Sequence, residues 1–361
     1  MKIQKATRRY DNWLRKQCDV VKADLDRKHA LMSLNLFTFI RGTFYRWVQQ
    51  FPEVCPRLAE APKVPAVGDL HVENFGLWRD AEGRLVWGVN DFDEAAPLPY
   101  TNDLVRLASS ALVAAREARL QLRHADTCAA VLRGYRHGLE RGGRPFVLER
   151  EHHWLRHAAL FARRSSVEFW KSMQRLPTAR TVLSTSARKA LAAAMPDTDH
   201  VRWLVKQRTA GVGSLGRPRW VAILDWRGGL IAHEAKARVP SAVLWAADSR
   251  RTPDYSTQVV ERSVRAPDPY LQFRRRWIVR RLAPDCGRLE LADLAGDRDE
   301  RRLLEAMGWE AANIHLGDPR AAAQALRHVR KLDRTWLRQA AEDMAGALTN
   351  DWRKWRARRS S

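Results

Sequence analysis

Gly68-Asp69-Leu70-His71-Val72-Glu73-Asn74-Phe75-Gly76, followed by Asn90-Asp91-Phe92-Asp93-Glu94, is the stretch on which the fold turns. Between the two motifs, Phe75 to Trp78 is short and apolar, and Arg79-Asp80-Ala81-Glu82-Gly83 carries turn chemistry. Arg84 to Val89 alternates, with Leu85, Trp87 and Val89 on one face. The pattern predicts strand, turn, strand, with acidic groups at both open ends of the hairpin. Pro97-Leu98-Pro99 then stops the loop, and Asn102 or Asp103 is expected to cap a helix running through Leu104, Leu107, Ala108 and Leu112.

This hairpin places Asp69, Asn74 and Asp91 on two adjacent loops. Phosphoryl transfer needs such a set: one carboxylate orients the attacking hydroxyl, while an amide and a second carboxylate hold Mg²⁺ on nucleotide phosphates. The five-residue step from Asp69 to Asn74 equals the spacing of the kinase catalytic loop HRDxxxxN.

Two resemblances follow from these residues. Gly68-Asp69, His71, Asn74, Asp91-Phe92, Ala95 and Asp103-Leu104 resemble the signature of aminoglycoside and choline phosphotransferases, which runs HGDxHxxN, a hairpin, IDFxxA and a DLA helix. Over roughly residues 28 to 320 the chain is also similar to a bacterial family designated domain of unknown function 2252. That family's pattern reads FxFxRG, GDxHxxNFG, NDFDE and GVGSxG. The matching residues are Phe37-Thr38-Phe39-Ile40-Arg41-Gly42, the two motifs above, and Gly211-Val212-Gly213-Ser214-Leu215-Gly216. The kinase resemblance implies that Asp103 supports the catalytic loop through hydrogen bonds.

Around the glycine loop, Trp203, Val205 and Gln207 alternate, Arg219 to Leu224 is rich in strand formers, and Asp225-Trp226-Arg227-Gly228-Gly229 is a turn. Leu230 to Lys236 completes a third strand. A dinucleotide-binding GxGxxG opens a helix. This loop runs instead into Arg217-Pro218-Arg219-Trp220 and a strand. Strand, glycine loop, strand, turn and strand ending in Lys is the phosphate-covering arrangement of protein kinases. Lys236 also stands out because only Lys206 and Lys236 lie between Lys189 and Lys331. Glu261 is the candidate carboxylate to orient it. Trp277 to Leu282 is expected to be a further strand, leading to a hinge beside adenine.

These readings predict an α+β, protein-kinase-like bilobal fold. Because Asp69 precedes Gly211, the fold is expected to be circularly permuted, as is physically acceptable where chain termini lie close together. Residues 1–200 would form a helix-rich lobe with the catalytic and metal loops, 201–290 an antiparallel-sheet nucleotide lobe, and 291–361 C-terminal helices packing back on the helical lobe, with a basic, frayed tail. The expected activity is ATP- and Mg²⁺-dependent phosphoryl or nucleotidyl transfer to an unidentified small-molecule or protein acceptor. Asp69, His71 and Asn74 are the catalytic candidates. Gly211, Gly213, Ser214, Gly216 and Lys236 are the nucleotide-binding candidates, and Asn74, Asp91 and Asp93 the metal candidates. Arg41 is either an ion-pair partner within the helices or an anion contact near Asp69.

Composition bounds the alternatives. The chain has 361 residues and 45% hydrophobic residues, enough for a large core. No apolar run reaches the length of a membrane span, and the basic N-terminus lacks a signal-peptide core. Cys18, Cys55, Cys128 and Cys286 form no CxxC pair, which fits a reducing cytoplasm. The net charge of +23 allows nucleic-acid binding. Only 12 of the 64 basic residues are Lys, however, and that bias reads as arginine-rich coding. A non-catalytic nucleotide sensor or nucleic-acid-binding protein on the same scaffold is the alternative. A binuclear metallophosphoesterase, suggested by Asp69-Leu70-His71, lacks the later Asn-His pair that such sites use. His153 and His157 stand one helical turn apart without an HExxH pattern or third ligand, so a solvated role is expected. Asn313 to Asp318 reads as a helix end, since Ala323 stands where a metal amide would follow.

Overall fold

The computed structural model describes residues 1–358 except 162–164, 179–182, 197–201, 250, 292–293 and 295–296. It is an α+β structure. Its strands among the described residues are β1 (Lys63–Ala66), β2 (Phe75–Arg79), β3 (Leu85–Val89), β4 (Ala96–Pro99), β5 (Phe146–Val147), β6 (Leu204–Gln207), β7 (Arg219–Trp226), β8 (Gly229–Ala237), β9 (Gln272–Phe273) and β10 (Trp277–Leu282). All pairings within the sheets are antiparallel: β1 with β4, β2-β3-β5, and the larger order β6-β7-β8-β10-β9.

The hairpin β2–β3 forms where the apolar alternation and turn residues place it. Phe75 pairs with Val89 and Leu77 with Trp87. Both of its faces are covered, because β3 is buried at every position. One feature is absent from the local pattern: after the glycine break at residues 142–143, Phe146–Val147 adds a third strand to β3. The tight turn joining β7 to β8 centres on Arg227 and Gly228, both at positive φ. Two positive-φ residues match the right-handed twist of a hairpin.

The main core is helical. The helices Tyr100–Glu117 and His124–Glu140 meet two C-terminal ones, Asp297–His315 and Trp336–Ala357, and the latter also reaches the helix Phe44–Val54. His124–Glu140 and Asp297–His315 approach backbone to backbone. A Cβ on Gly134 would lie 1.8 Å from Glu305 O, and one on Gly308 would lie 2.0 Å from Val131 O. Only glycine permits that crossing.

The five-stranded sheet has its own cores. Trp220, Ala222 and Leu224 face Ala187 and Leu191 of the helix Thr185–Ala192, while Val221 and Ile223 face Met173 of the helix Ser166–Gln174. This is the period-two alternation of a sheet covered on both faces. The two covering helices belong with the sheet by packing, so a boundary at residue 200 cuts across this unit. Conversely, Ala242 and Val259 belong to the helical core.

Two local expectations change. The helix after β4 begins at Tyr100, behind Pro99, so neither Asn102 nor Asp103 caps it; their side chains are engaged elsewhere, as described below. The basic tail is helical through Ala357, and residues 359–361 lie outside the described residues. Asp318 closes the Asn313–Asp318 segment by capping the next helix, its Oδ1 accepting from the N–H groups of Arg320 and Ala321. His153 and His157 are exposed. No helix among the described residues is long and apolar enough to cross a membrane, and the four cysteines are free.

Candidate functional site

The loop that carries Asp69 is held from behind by Asp103. Its Oδ2 accepts from Val67 N (2.7 Å) and its Oδ1 from Gly68 N (3.0 Å). Asn102 Nδ2 donates to Gly68 O and to Asp103 Oδ1, and its own Oδ1 accepts from Trp47 Nε1. Residues from the helices Asp297–His315 and His124–Glu140 complete the support. His315 Nε2 lies 3.2 Å from Asp103 Oδ2, and Tyr135 OH lies 2.9 Å from His315 Nδ1. Asp103 and His315 are fully buried. Asp103 thus takes up the backbone donors of the turn, the role the kinase resemblance implied. Gly68 is required there: its φ is +83°, and a Cβ would lie 2.3 Å from Glu94 O.

Asp69 itself is oriented by Arg106, whose Nε (2.9 Å) and Nη2 (2.7 Å) both donate to Oδ1. Arg106 is wholly buried, lies over the Trp47 ring and also donates to Ile40 O. Asp69 is nevertheless held above the usual aspartate range, because burial outweighs the arginine's attraction. Its second oxygen faces the glycine loop: a Cβ on Gly213 would stand 3.9 Å from Asp69 Oδ2.

Asn74 joins the two motif loops. Its Nδ2 donates to Asp69 O (3.0 Å) and Asp91 O (3.1 Å), and its Oδ1 accepts from Asp91 N (3.0 Å). His71 is buried, and its Nδ1 accepts from Glu73 N. Burial, reinforced by Arg41, Arg106 and Arg288, pushes its pKa well below the ordinary histidine value, so the ring is neutral at pH 7. Arg41 pairs with Glu73 at 2.5 Å and lines the chamber in front of Asp69. Its ion pair is therefore with the motif loop, not within the helices.

Lys236, at the end of β8, reaches this loop. Its Nζ lies 2.7 Å from Asp93 Oδ2 and 3.3 Å from Asp91 Oδ1. These are its carboxylate partners. Glu261, expected to orient it, is exposed on a separate helix. The correction has a simple cause: the sheet sets β8 against the Asn90–Glu94 loop, so the nearest acids come from that loop. Burial alone would raise the Asp91 pKa, but Lys236 and Arg280 reverse this and hold it far below the usual range. About a third of the Asp91 side chain is exposed. Asp93 Oδ2 also receives Arg217 (2.7 Å), while its Oδ1 is buried without a hydrogen bond. Glu94 accepts from Arg217, Ser241 Oγ and Ala242 N, and burial pushes its pKa up to about 7.

The glycine loop folds over the same place. Val212–Ser214 is a single 3₁₀ turn, with Gly211 at φ +72° and Gly216 at φ +95°. Gly211, Gly213 and Ser214 line one small chamber with Asp69, His71, Asn74, Asp91 and Asp93. The Ser214 hydroxyl is engaged by Arg219 (2.6 Å). Gly216 sits apart from that lining, against Leu25. Lys236 reaches the chamber only through its two aspartates. Behind the loop, Glu234 is fully buried among Arg208, Arg219 and Arg280.

A cleft of about 550 Å³ adjoins the chamber, with Gly211 and Arg288 lining both. Leu77, Phe169, Met173, Leu282, Ala283 and Pro284 give it apolar walls, and Arg208, Arg280 and Arg288 give it positive charge. The segment after β10 forms one wall and is pinned to the hairpin, with Leu77 N donating to Gly287 O. Among the described residues, no three His, Cys, Asp or Glu side chains converge to hold a metal by themselves.

Sequence reading did not find Arg106, Lys28, Arg217 or Arg288. Arg106 carried a usable signal, since it lies one helical turn after Asp103 on the same helix. Lys28 carried the signal that drew attention to Lys236: it is the only lysine between Lys22 and Lys63. The other arginines are lost among 52.

No curated protein and no solved structure matches the chain. The profile of a bacterial family does match, over residues 20–206, which takes in both acidic motifs and ends just before the glycine loop. That span is more than half of the chain, which therefore belongs to the family described as "Uncharacterized protein conserved in bacteria (DUF2252)".

Proposed function

We propose that this chain is an ATP- and Mg²⁺-dependent phosphotransferase built on a circularly permuted, protein-kinase-like bilobal frame and working in the cytoplasm. The observation that carries the reading is the convergence of three sequence-distant parts. Asp69 and the Asp91–Asp93 pair, the glycine loop, and Lys236 from the third strand of the sheet meet beside a cleft of about 550 Å³. Pockets of this size, with apolar walls and a few convergent polar groups, suit small ligands. In this reading Leu282 to Pro284 and Leu77 flank the base, and the glycine loop covers the phosphates. The helices and the β2–β3 hairpin form the catalytic lobe, and the five-stranded sheet forms the nucleotide lobe.

The donor set fits Mg²⁺. Asp91, the orphaned Asp93 Oδ1 and the remaining lone pair of Asn74 Oδ1 offer oxygen atoms only, as a hard cation prefers. A site without a closed protein cage is also what such a cation uses, since Mg²⁺ keeps waters and substrate phosphates in its shell. When bound, the ion would neutralise charge on the phosphates.

The chain's own groups account for the rest. Arg106 fixes Asp69 through one oxygen and leaves the other toward the chamber, where it can accept a hydrogen bond from an acceptor hydroxyl. Its raised pKa makes it a better proton acceptor than an ordinary aspartate. Asn74 holds the Asp69 and Asp91 loops in register. Neutral His71 keeps a further positive charge away from Asp69. Lys236, released from part of its ion pairing, supplies charge to the phosphates.

The test is calorimetry of the full chain with ATP, with and without Mg²⁺, on wild type and Asp91→Asn. Wild-type binding is expected to strengthen with Mg²⁺, and the variant is expected to lose most of that dependence. Incubation with ATP labelled at the α or the γ position separates nucleotidyl from phosphoryl transfer. A folded wild-type sample that binds no ATP at millimolar concentration would overturn the reading.

A further inference from the structure

Lys28 is a buried charge that the mechanism above does not use. It lies on the helix Lys22–Leu31 and is 4% exposed. Its Nζ donates to Gly213 O at 2.9 Å. It makes no ion pair with a carboxylate among the described residues, and the Tyr10 and Tyr45 rings lie 5.9 Å from the ammonium. An ammonium has three donors, so two remain for a ligand. A buried cation without a counter-charge is costly unless something pairs with it.

Its position says what that partner is. The helix is tied to the glycine loop on both sides, by Val21 N to Gly216 O (2.9 Å) and Thr209 Oγ1 to Asp24 Oδ1 (2.9 Å). These bonds hold Lys28 beside Gly213, and Gly213 in turn faces Asp69 Oδ2. Lys28 lines the chamber that joins the large cleft at Gly211 and Arg288. The chamber measures about 60 Å³, room on the order of a few water-sized groups. A phosphoryl group fits such a space; a base or sugar does not.

We propose that Lys28 is a second phosphate-binding lysine, which recognises the terminal phosphate of a nucleoside triphosphate. The proposal rests on the nucleotide reading of the cleft. Lys236 is already paired with Asp91 and Asp93, whereas Lys28 has no acidic partner to leave. Bound phosphate would supply the missing counter-charge between the glycine loop and Asp69, where the reacting group must sit. Burial now draws the Lys28 pKa down to about 8, with Arg217 acting in the same direction and Asp11, Glu94 and Asp69 against it.

The experiment compares Mg²⁺ complexes of AMP-PNP, a non-hydrolysable triphosphate, and ADP by calorimetry on wild type, Lys28→Met and Lys28→Arg. Wild type is expected to prefer the triphosphate. Lys28→Met is expected to weaken AMP-PNP roughly 10- to 100-fold, the range for losing a charged hydrogen bond, and to change ADP by no more than about threefold. Lys28→Arg is expected to keep part of the preference. A purely structural role for Lys28 in holding the glycine loop would instead weaken both nucleotides alike. Thermal unfolding of Lys28→Met should show a midpoint no lower than wild type, because an unpaired buried charge has been removed. If wild type binds both nucleotides equally, or Lys28→Met keeps the wild-type preference, the role of Lys28 is overturned and the nucleotide site stands. If wild type binds neither nucleotide, both fall.

Discussion

Asp103→Ala is the substitution whose effect can be worked out most fully. The carboxylate accepts four hydrogen bonds, from Val67 N, Gly68 N, Asn102 Nδ2 and His315 Nε2. Asn102 Nδ2 keeps Gly68 O as its other acceptor, whereas His315 keeps Tyr135 only at Nδ1 and its buried Nε2 loses its partner. The N–H groups of Val67 and Gly68 keep nothing, and both residues are buried. An unsatisfied buried donor costs about 1–3 kcal/mol, so the pair accounts for roughly 2–6 kcal/mol. The cavity left by the side chain adds to this. The expected loss in urea denaturation is at least about 3 kcal/mol, with an unchanged m-value if the denatured state is unaffected. Asp103→Asn should fall between wild type and Ala, because one acceptor oxygen survives while an NH₂ group faces the other donor. Since the same bonds shape the turn bearing Asp69, any transferase activity should fall further than stability predicts. A loss below about 1 kcal/mol for Asp103→Ala would refute the argument that this carboxylate holds the loop.

Two further outcomes follow. Asp69→Asn should reduce transfer by ~10²–10⁴, the usual loss for a positioned base, while leaving Mg-ATP affinity close to wild type, because the carboxylate acts on the acceptor; equal losses in affinity and turnover would place Asp69 on the nucleotide instead. Glu310 is buried, its Oε1 accepting from Val89 N and its Oε2 from Asn313, and burial, only partly offset by Arg265, raises its pKa from an ordinary 4.5 to about 7. Its contribution to stability is therefore complete below pH 4.5 and is lost as pH rises through 7. At ~1.4 kcal/mol per pH unit this amounts to roughly 3 kcal/mol. Glu310→Gln should flatten that part of the stability–pH curve, and an unchanged slope would count against the shift.

The local parts of this protein are written in short stretches of its sequence. Alternation at Leu85, Trp87 and Val89, turn residues at 79–83, and the Arg227-Gly228 turn suffice to place β2, β3, β7 and β8, because strand period and turn chemistry act over a few residues. The same stretches put Asp69 and Asp91 at the hairpin's open end. What the sequence left open was every pairing of charge. Arg106 lies 37 residues from Asp69, Arg217 124 from Asp93, and Lys236 145 from Asp91. Local propensity also misplaced Asp103. As a residue type it reads as a helix cap, but the chain returning at Val67 and Gly68 presents two buried donors that only a carboxylate from this helix reaches. The third strand at Phe146–Val147 is set by the vacant edge of β3, and the backbone crossing at Gly134 and Gly308 by helices 170 or more residues apart. Such contacts exist only once the chain has closed on itself. In a chain with 52 arginines, composition says nothing about which of them burial will turn into partners of a carboxylate.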